Sequence, residues 1–122
     1  MKKYKHQWGS QYGNLFFKRA KGYLREMESS KATAKIILPF IVEDSRILDA
    51  GCGVGHYLRS ILKISKKKFS YHGIDITQKY INLANKINWG IETNFKKINI
   101  ENTKLKKKHF DISFCSNVLL HI

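Results

Sequence analysis

A chain of 122 residues with 43% apolar content is enough for one small domain with its own core, and no run approaches the roughly 20 apolar residues of a membrane span. Its 23 basic residues against 9 acidic ones leave a formal charge of +14, which raises nucleic acid as a partner. Nineteen of those 23 are Lys, however, and Arg, the residue suited to base edges and bidentate phosphate contacts, is scarce, so nucleic acid is a partner that the composition does not favour. Lys2, Lys3, Lys5 and His6 are followed by no apolar segment, which argues against a secretory signal and makes the cytoplasm the expected location. Cys52 and Cys115 have no second Cys or His at metal-ligand spacing, and no zinc site is read from them.

Along residues 12–27, Tyr12, Leu15, Phe16, Arg19, Ala20, Tyr23, Leu24 and Met27 recur at helical spacing, which predicts an amphipathic helix weakened by Gly13 and Gly22. Ser29 or Ser30 then caps a second helix with Ile36, Ile37, Phe40 and Ile41 on one face, ended or kinked by Pro39 near Leu38. From Arg46 the pattern alternates. Strands are expected over 46–50, 69–75, 94–99 and 110–115, and helices over 56–65 and from Thr77, with a further helical segment from Asn117. Such alternation implies an α/β fold with a doubly wound, Rossmann-like parallel sheet. Residues 1–45 read as an N-terminal helical region and residues 46–122 as the sheet domain.

The chemistry concentrates in Ile47-Leu48-Asp49-Ala50-Gly51-Cys52-Gly53-Val54-Gly55, followed twenty residues later by Asp75 within Gly73-Ile74-Asp75-Ile76. A strand, a glycine turn, a helix and a second strand ending in an acid describe a nucleotide-type pocket. The glycines admit a ligand close to the backbone, and the acid suits a ribose diol. A dinucleotide loop wants a third glycine where this chain has His56, so NAD fits poorly. Asp49 at the strand end would repel a pyrophosphate but suits a ligand with a positive end.

Leu48 through Gly55 resembles the first motif of the class I S-adenosylmethionine-dependent methyltransferases. Gly73-Ile74-Asp75-Ile76 is similar to their second-strand motif, and the run from Phe110 through Ile122 to their fourth-strand motif. The resemblance covers about residues 46–122 and implies S-adenosyl-L-methionine as cofactor. It implies that Gly51, Cys52, Gly53 and Gly55 border the methionine part, that Asp49 offsets the positive end, and that Asp75 takes the ribose hydroxyls. It also implies that Ile76 packs on the adenine, that Asn99 and Ile100 lie at the adenine edge, and that Ser116 stands near the transfer point. Asn99 departs from the acid usual there. No general base is identified, and His56, His72, His109 and His121 read as surface or packing residues.

Trp8, Tyr12 and Arg19 are weighed as residues that close over the cofactor, and an amphipathic stripe as core is preferred. The family's sheet has seven strands and only four are recognisable here, which suggests a truncated chain whose acceptor site is missing. The fourth strand would then be a bare apolar edge carrying Ile112 and Phe114, open to self-association. The expected activity is methyl transfer to an unidentified acceptor, a small molecule before RNA or protein. A non-catalytic cofactor-binding remnant is the alternative.

Overall fold

The computed structural model describes residues 12–99, 109–115 and 119–121. Helix α1 spans Tyr12–Ala20 and stops well short of residue 27. Gly22 adopts φ +85° and ends it. Its N–H donates to Arg19 O at 3.0 Å and the Tyr23 N–H donates to Lys18 O at 2.8 Å, the paired bonds of a Schellman stop. Gly22 is therefore a terminator, and Tyr23, Leu24 and Met27 lie outside the helix.

Helix α2 spans Glu28–Ile37 behind Met27, with no side-chain cap. The expected serine cap is not formed. Ser30 instead sits buried within the first turn, where its Oγ donates to Met27 O at 2.9 Å and accepts from Ser60 Oγ at 3.1 Å. The inward face is also shifted. Ser30, Ala34, Ile37 and Ile41 are buried, whereas Ile36 and Phe40 are 56% and 46% exposed. Docking on the helix that follows the glycine turn, α3 (His56–Ile64), selects the stripe with the smaller residues, since close helix approach needs them. Pro39 ends the α-helix as expected, inside the 3₁₀ turn Leu38–Phe40.

The sheet contains β1 (Ser45–Ala50), β2 (Phe69–Asp75), β3 (Thr93–Lys97), β4 (Ile112–Cys115) and β5 (Leu119–His121), in the order β3-β2-β1-β4-β5. β1 pairs in parallel with β2 and with β4, and β2 in parallel with β3. Helices α3 (His56–Ile64) and α4 (Gln78–Asn85) fill the crossovers. The expected α/β architecture is thus present. The order reverses between β1 and β4, which opens a ligand crevice at the C-terminal end of β1. Leu58 and Ile61 of α3, Ile81 and Ala84 of α4 and Ile37 of α2 join Ile47, Tyr71, Phe95 and Ile112 in one core. Each fully buried aliphatic side chain there contributes roughly 1.5–3 kcal/mol.

Beyond β4 the sequence expectation is wrong. In place of a helix starting at Asn117, residues 119–121 form β5, antiparallel to β4 with Cys115 opposite Leu119 and Ser113 opposite His121. Antiparallel neighbours need only a short connection, and β5 satisfies the backbone groups that β4 would otherwise leave bare. The expected bare β4 edge is thus covered by β5 over Ser113–Cys115. Among the described residues, no helix is long and apolar enough to cross a membrane.

Candidate cofactor pocket

The turn after β1 holds Gly51, Gly53 and Gly55 at φ +80°, +57° and +93°, a region that side-chain-bearing residues rarely adopt. The Gly51 and Cys52 N–H groups both donate to Ile74 O, at 2.8 and 3.0 Å, which ties the turn to the end of β2. Asp75 completes the tie. Its Oδ2 accepts from the Gly53 N–H and its Oδ1 from the Thr77 N–H, each at 2.9 Å. A carboxylate has about four lone-pair sites, so two backbone bonds leave capacity for two hydroxyl donors.

Packing beneath the turn is tight. A Cβ on Gly55 would lie 2.8 Å from Trp89 Cζ2, and one on Gly73 would lie 2.5 Å from Phe95 Cδ1 and 2.8 Å from Cys52 Sγ. Cys52 is fully buried and its Sγ donates to Gly53 O at 3.4 Å. Burial, reinforced by the negative charge of Asp49, pushes its thiol far up, so it packs as a small apolar residue. Asp49 is also fully buried. Its Oδ2 accepts from the Tyr71 hydroxyl at 2.6 Å, while its Oδ1 has no partner. Burial pushes this carboxyl up to about 7, against the bond from Tyr71, with a smaller rise from Asp75. Burial and the Asp49 charge likewise raise Tyr71 well above the usual phenol range.

Above the turn lies a cavity of about 250 Å³ walled by Gly51, Gly53, Asp75, Tyr80, Met27 and His56, with Phe16 of α1 over it. The His56 ring stacks on Phe16 at 4.8 Å between centroids. Burial, then the positive charge of Arg19, lowers His56 to about 4, so it is neutral at pH 7. Its Nδ1 and the Arg19 Nε are buried with no hydrogen-bond partner. Unpaired buried polar atoms are costly, and His56 stands at the start of α3, whose first N–H groups have no partner within the helix. That set accommodates the carboxylate of a ligand, and Asp75 accommodates a diol. The residues fit an amino-acid nucleoside such as S-adenosylmethionine.

Of the sequence-chosen residues, Gly51, Gly53 and Asp75 line this cavity together. Asp49, Cys52 and Gly55 lie buried below or behind it. Ile76 is 62% exposed beside Asp75 without lining the cavity, and Asn99 is exposed two residues past the end of β3, which stops at Lys97. Ile100 and Ser116 fall outside the described residues, as do Trp8 and Asn117. Sequence reasoning passed over Phe16 and Met27 as cavity residues and took His56 for packing or surface. The hint for Phe16 was its place on the apolar stripe of α1, but nothing local shows which helix that stripe meets.

Comparison with known proteins agrees with this geometry. Residues 47–122 match the methyltransferase domain family. No curated protein matches the chain. Among solved structures, the plantazolicin methyltransferase BpumL in complex with SAH is 29% identical over 91% of this chain and 40% of its own, with a TM-score of 0.56. A SAM-dependent methyltransferase from Aquifex aeolicus is 26% identical over 66% of this chain and 45% of its own, at TM-score 0.52. A putative S-adenosyl-L-methionine-dependent methyltransferase from Methanococcus maripaludis, 20% identical at TM-score 0.58, shares the fold over 71% of this chain. The chain thus spans less than half the length of these structures. With the glycine turn, the second-strand acid and the match over residues 47–122, the chain belongs to the methyltransferase domain family.

Proposed function

We propose that this chain binds S-adenosyl-L-methionine and serves the transfer of its methyl group to a small-molecule acceptor. The observation that carries the reading is the Asp75 carboxylate, held by the Gly53 and Thr77 N–H groups at the wall of a glycine-lined cavity. Asp75 accepts the ribose hydroxyls, and Gly51 and Gly53 let the methionine part approach the backbone. His56 and the first N–H groups of α3 receive the carboxylate end. Asp49, buried under the turn, acts on the ligand's positive charge through the field rather than by contact. Ile76, Asn99 and Ile100 are assigned to the adenine side and Ser116 to the transfer point.

When bound, S-adenosylmethionine would supply a methyl group on a sulfonium, an intrinsically good leaving group. The chain's part is alignment and exclusion of water, for which Phe16 over the cavity is placed. BpumL has been solved with a monoazolic desmethylPZN analogue and SAH. A small acceptor is favoured here over nucleic acid by the scarcity of Arg.

Calorimetric titration with S-adenosylhomocysteine tests the proposal. Wild type should bind it and should not bind NAD. Asp75→Asn, which keeps an acceptor oxygen but loses the charge, should weaken binding by roughly 10- to 100-fold, the span of one or two charge-assisted hydrogen bonds. A folded wild type that binds NAD more tightly, or binds neither, overturns the assignment.

A further inference from the structure

A second cavity, of about 230 Å³, is lined by Lys21, Tyr23, Arg59, Lys86, Ile87 and Asn88 and shares no residue with the first. It lies where the stop after α1, the first turns of α3 and the end of α4 converge. Three cations line it and no acid does. The ion pairs Arg25–Glu28, Lys31–Glu28 and Lys63–Glu26 lie elsewhere.

Arg59 is no loose surface charge. Its Nε donates to Ala20 O at 2.6 Å, and its guanidinium lies over the Trp89 ring at 5.0 Å. The fork is thereby fixed in advance, while its terminal nitrogens have no hydrogen-bond partner among the described residues. A pre-ordered guanidinium loses little freedom when it meets an anion, and its planar geometry suits phosphate. Lys21 is steadied from the other side, its Nζ 4.3 Å from the Phe17 ring centroid and 5.7 Å from that of Tyr23. Tyr23 is held by the Schellman bond to Lys18 O, yet it is 74% exposed, which leaves much of its ring open. An exposed aromatic face beside clustered, unneutralised cations is the arrangement that stacks a base and holds its phosphate. The cavity has room for one such unit.

We propose that Lys21, Arg59, Lys86 and Tyr23 form a nucleotide site, with the phosphate among the three cations and the base on Tyr23, for a free nucleotide or the 5′-phosphorylated end of a strand. The site stands independently of methyl transfer. Uridine 5′-monophosphate is the suitable probe, because it lacks the adenine that the first cavity would accept. With the first cavity saturated by S-adenosylhomocysteine, calorimetry should show the monophosphate binding at least tenfold more tightly than uridine. Lys21→Gln and Lys86→Gln, both at exposed positions, should each weaken it about three- to tenfold and flatten its salt dependence. Tyr23→Ala should weaken monophosphate and uridine alike.

A 5′-phosphorylated oligouridylate separates the two sources. Tighter binding than the monophosphate, still sensitive to Lys21→Gln, assigns the site to a strand end, and equal binding assigns it to free nucleotides. Displacement of the monophosphate by S-adenosylhomocysteine overturns the proposal. So does oligonucleotide binding that ignores all three substitutions, because the diffuse charge of +14 then explains it. Absence of any monophosphate binding overturns it as well.

Discussion

Replacing Asp49 by Asn should stabilise the protein at pH 8 and make its stability fall in acid. In the fold the Asp49 carboxyl titrates at about 7 against a usual value of 3.8, so between these pH values the folded state holds a proton that the unfolded chain has lost. Stability from this group is therefore present in acid and is lost as pH rises from 3.8 through about 7, a loss of about 4 kcal/mol at ~1.36 kcal/mol per unit. His56 works in the opposite sense. Its folded value of about 4, against 6.5, means that the unfolded chain takes up the extra proton, so its contribution grows as pH rises from 4 to 6.5.

The two slopes offset each other below pH 6.5 and leave Asp49 alone above it. Relative to wild type, Asp49→Asn should gain stability most at pH 8, less the roughly 1–3 kcal/mol cost of an amide N–H placed where Oδ1 has no partner. Its melting temperature should then rise with pH up to about 6.5 and level off. His56→Gln should fall steadily over the same range. Thermal melts from pH 4.5 to 8 measure all three proteins. A difference between wild type and Asp49→Asn that does not change between pH 5 and pH 8 would show Asp49 titrating as an ordinary carboxyl.

Gly73→Ala should be among the most destabilising single-methyl additions the chain can receive. The new Cβ would stand 2.5 and 2.7 Å from Phe95 ring carbons and 2.8 Å from Cys52 Sγ. Phe95 is confined by Tyr71 at 6.3 Å and Trp89 at 5.9 Å between centroids, so its ring cannot swing aside freely. Overpacking of this kind costs about 3 kcal/mol or more where the neighbours cannot yield. Gly55→Ala adds left-handed strain at φ +93° to a 2.8 Å approach by Trp89, with a loss of similar size.

Gly90→Ala is the internal reference. Its φ of +78° carries the same kind of strain, but no atom lies within 4 Å of the added Cβ, so about 1 kcal/mol is expected. Urea midpoints rank the three. Phe95→Leu should recover part of the loss in Gly73→Ala, and the double-mutant cycle measures how much. Equal midpoints for Gly73→Ala and Gly90→Ala would contradict the packing account.

Local pattern carried much of this architecture. The glycine spacing at 51, 53 and 55, the apolar runs and the acid at 75 all act within one strand–helix–strand unit, where sequence neighbours are also spatial neighbours. Expectations failed where the decision was made at a distance. Gly22 looked like a weak helix residue, yet the Lys18 and Arg19 carbonyls made it a stop. The stripe of α2 that faces inward was chosen by α3, not by the count of apolar residues. Residues 119–121 became a strand because β4 offered unpaired backbone groups. The stacking of Phe16 on His56 and the burial of Asp49 against Tyr71 join residues 40 and 22 apart, and no periodicity announces either.

The clamp at the foot of β4 bears on the order of folding. Asp111 Oδ2 accepts from the Arg46 N–H at 2.8 Å, and the Asp111 N–H donates to Arg46 O at 2.9 Å, across 65 residues. The glycine turn and Asp75, by contrast, are joined within the β1–α3–β2 segment. Loop-closure entropy delays the longer pairing, so the ligand-facing half forms first and β4 docks afterwards. Asp111→Ala should accordingly speed unfolding while leaving the refolding rate nearly unchanged, which stopped-flow chevrons measure; slower refolding would place β4 in the nucleus.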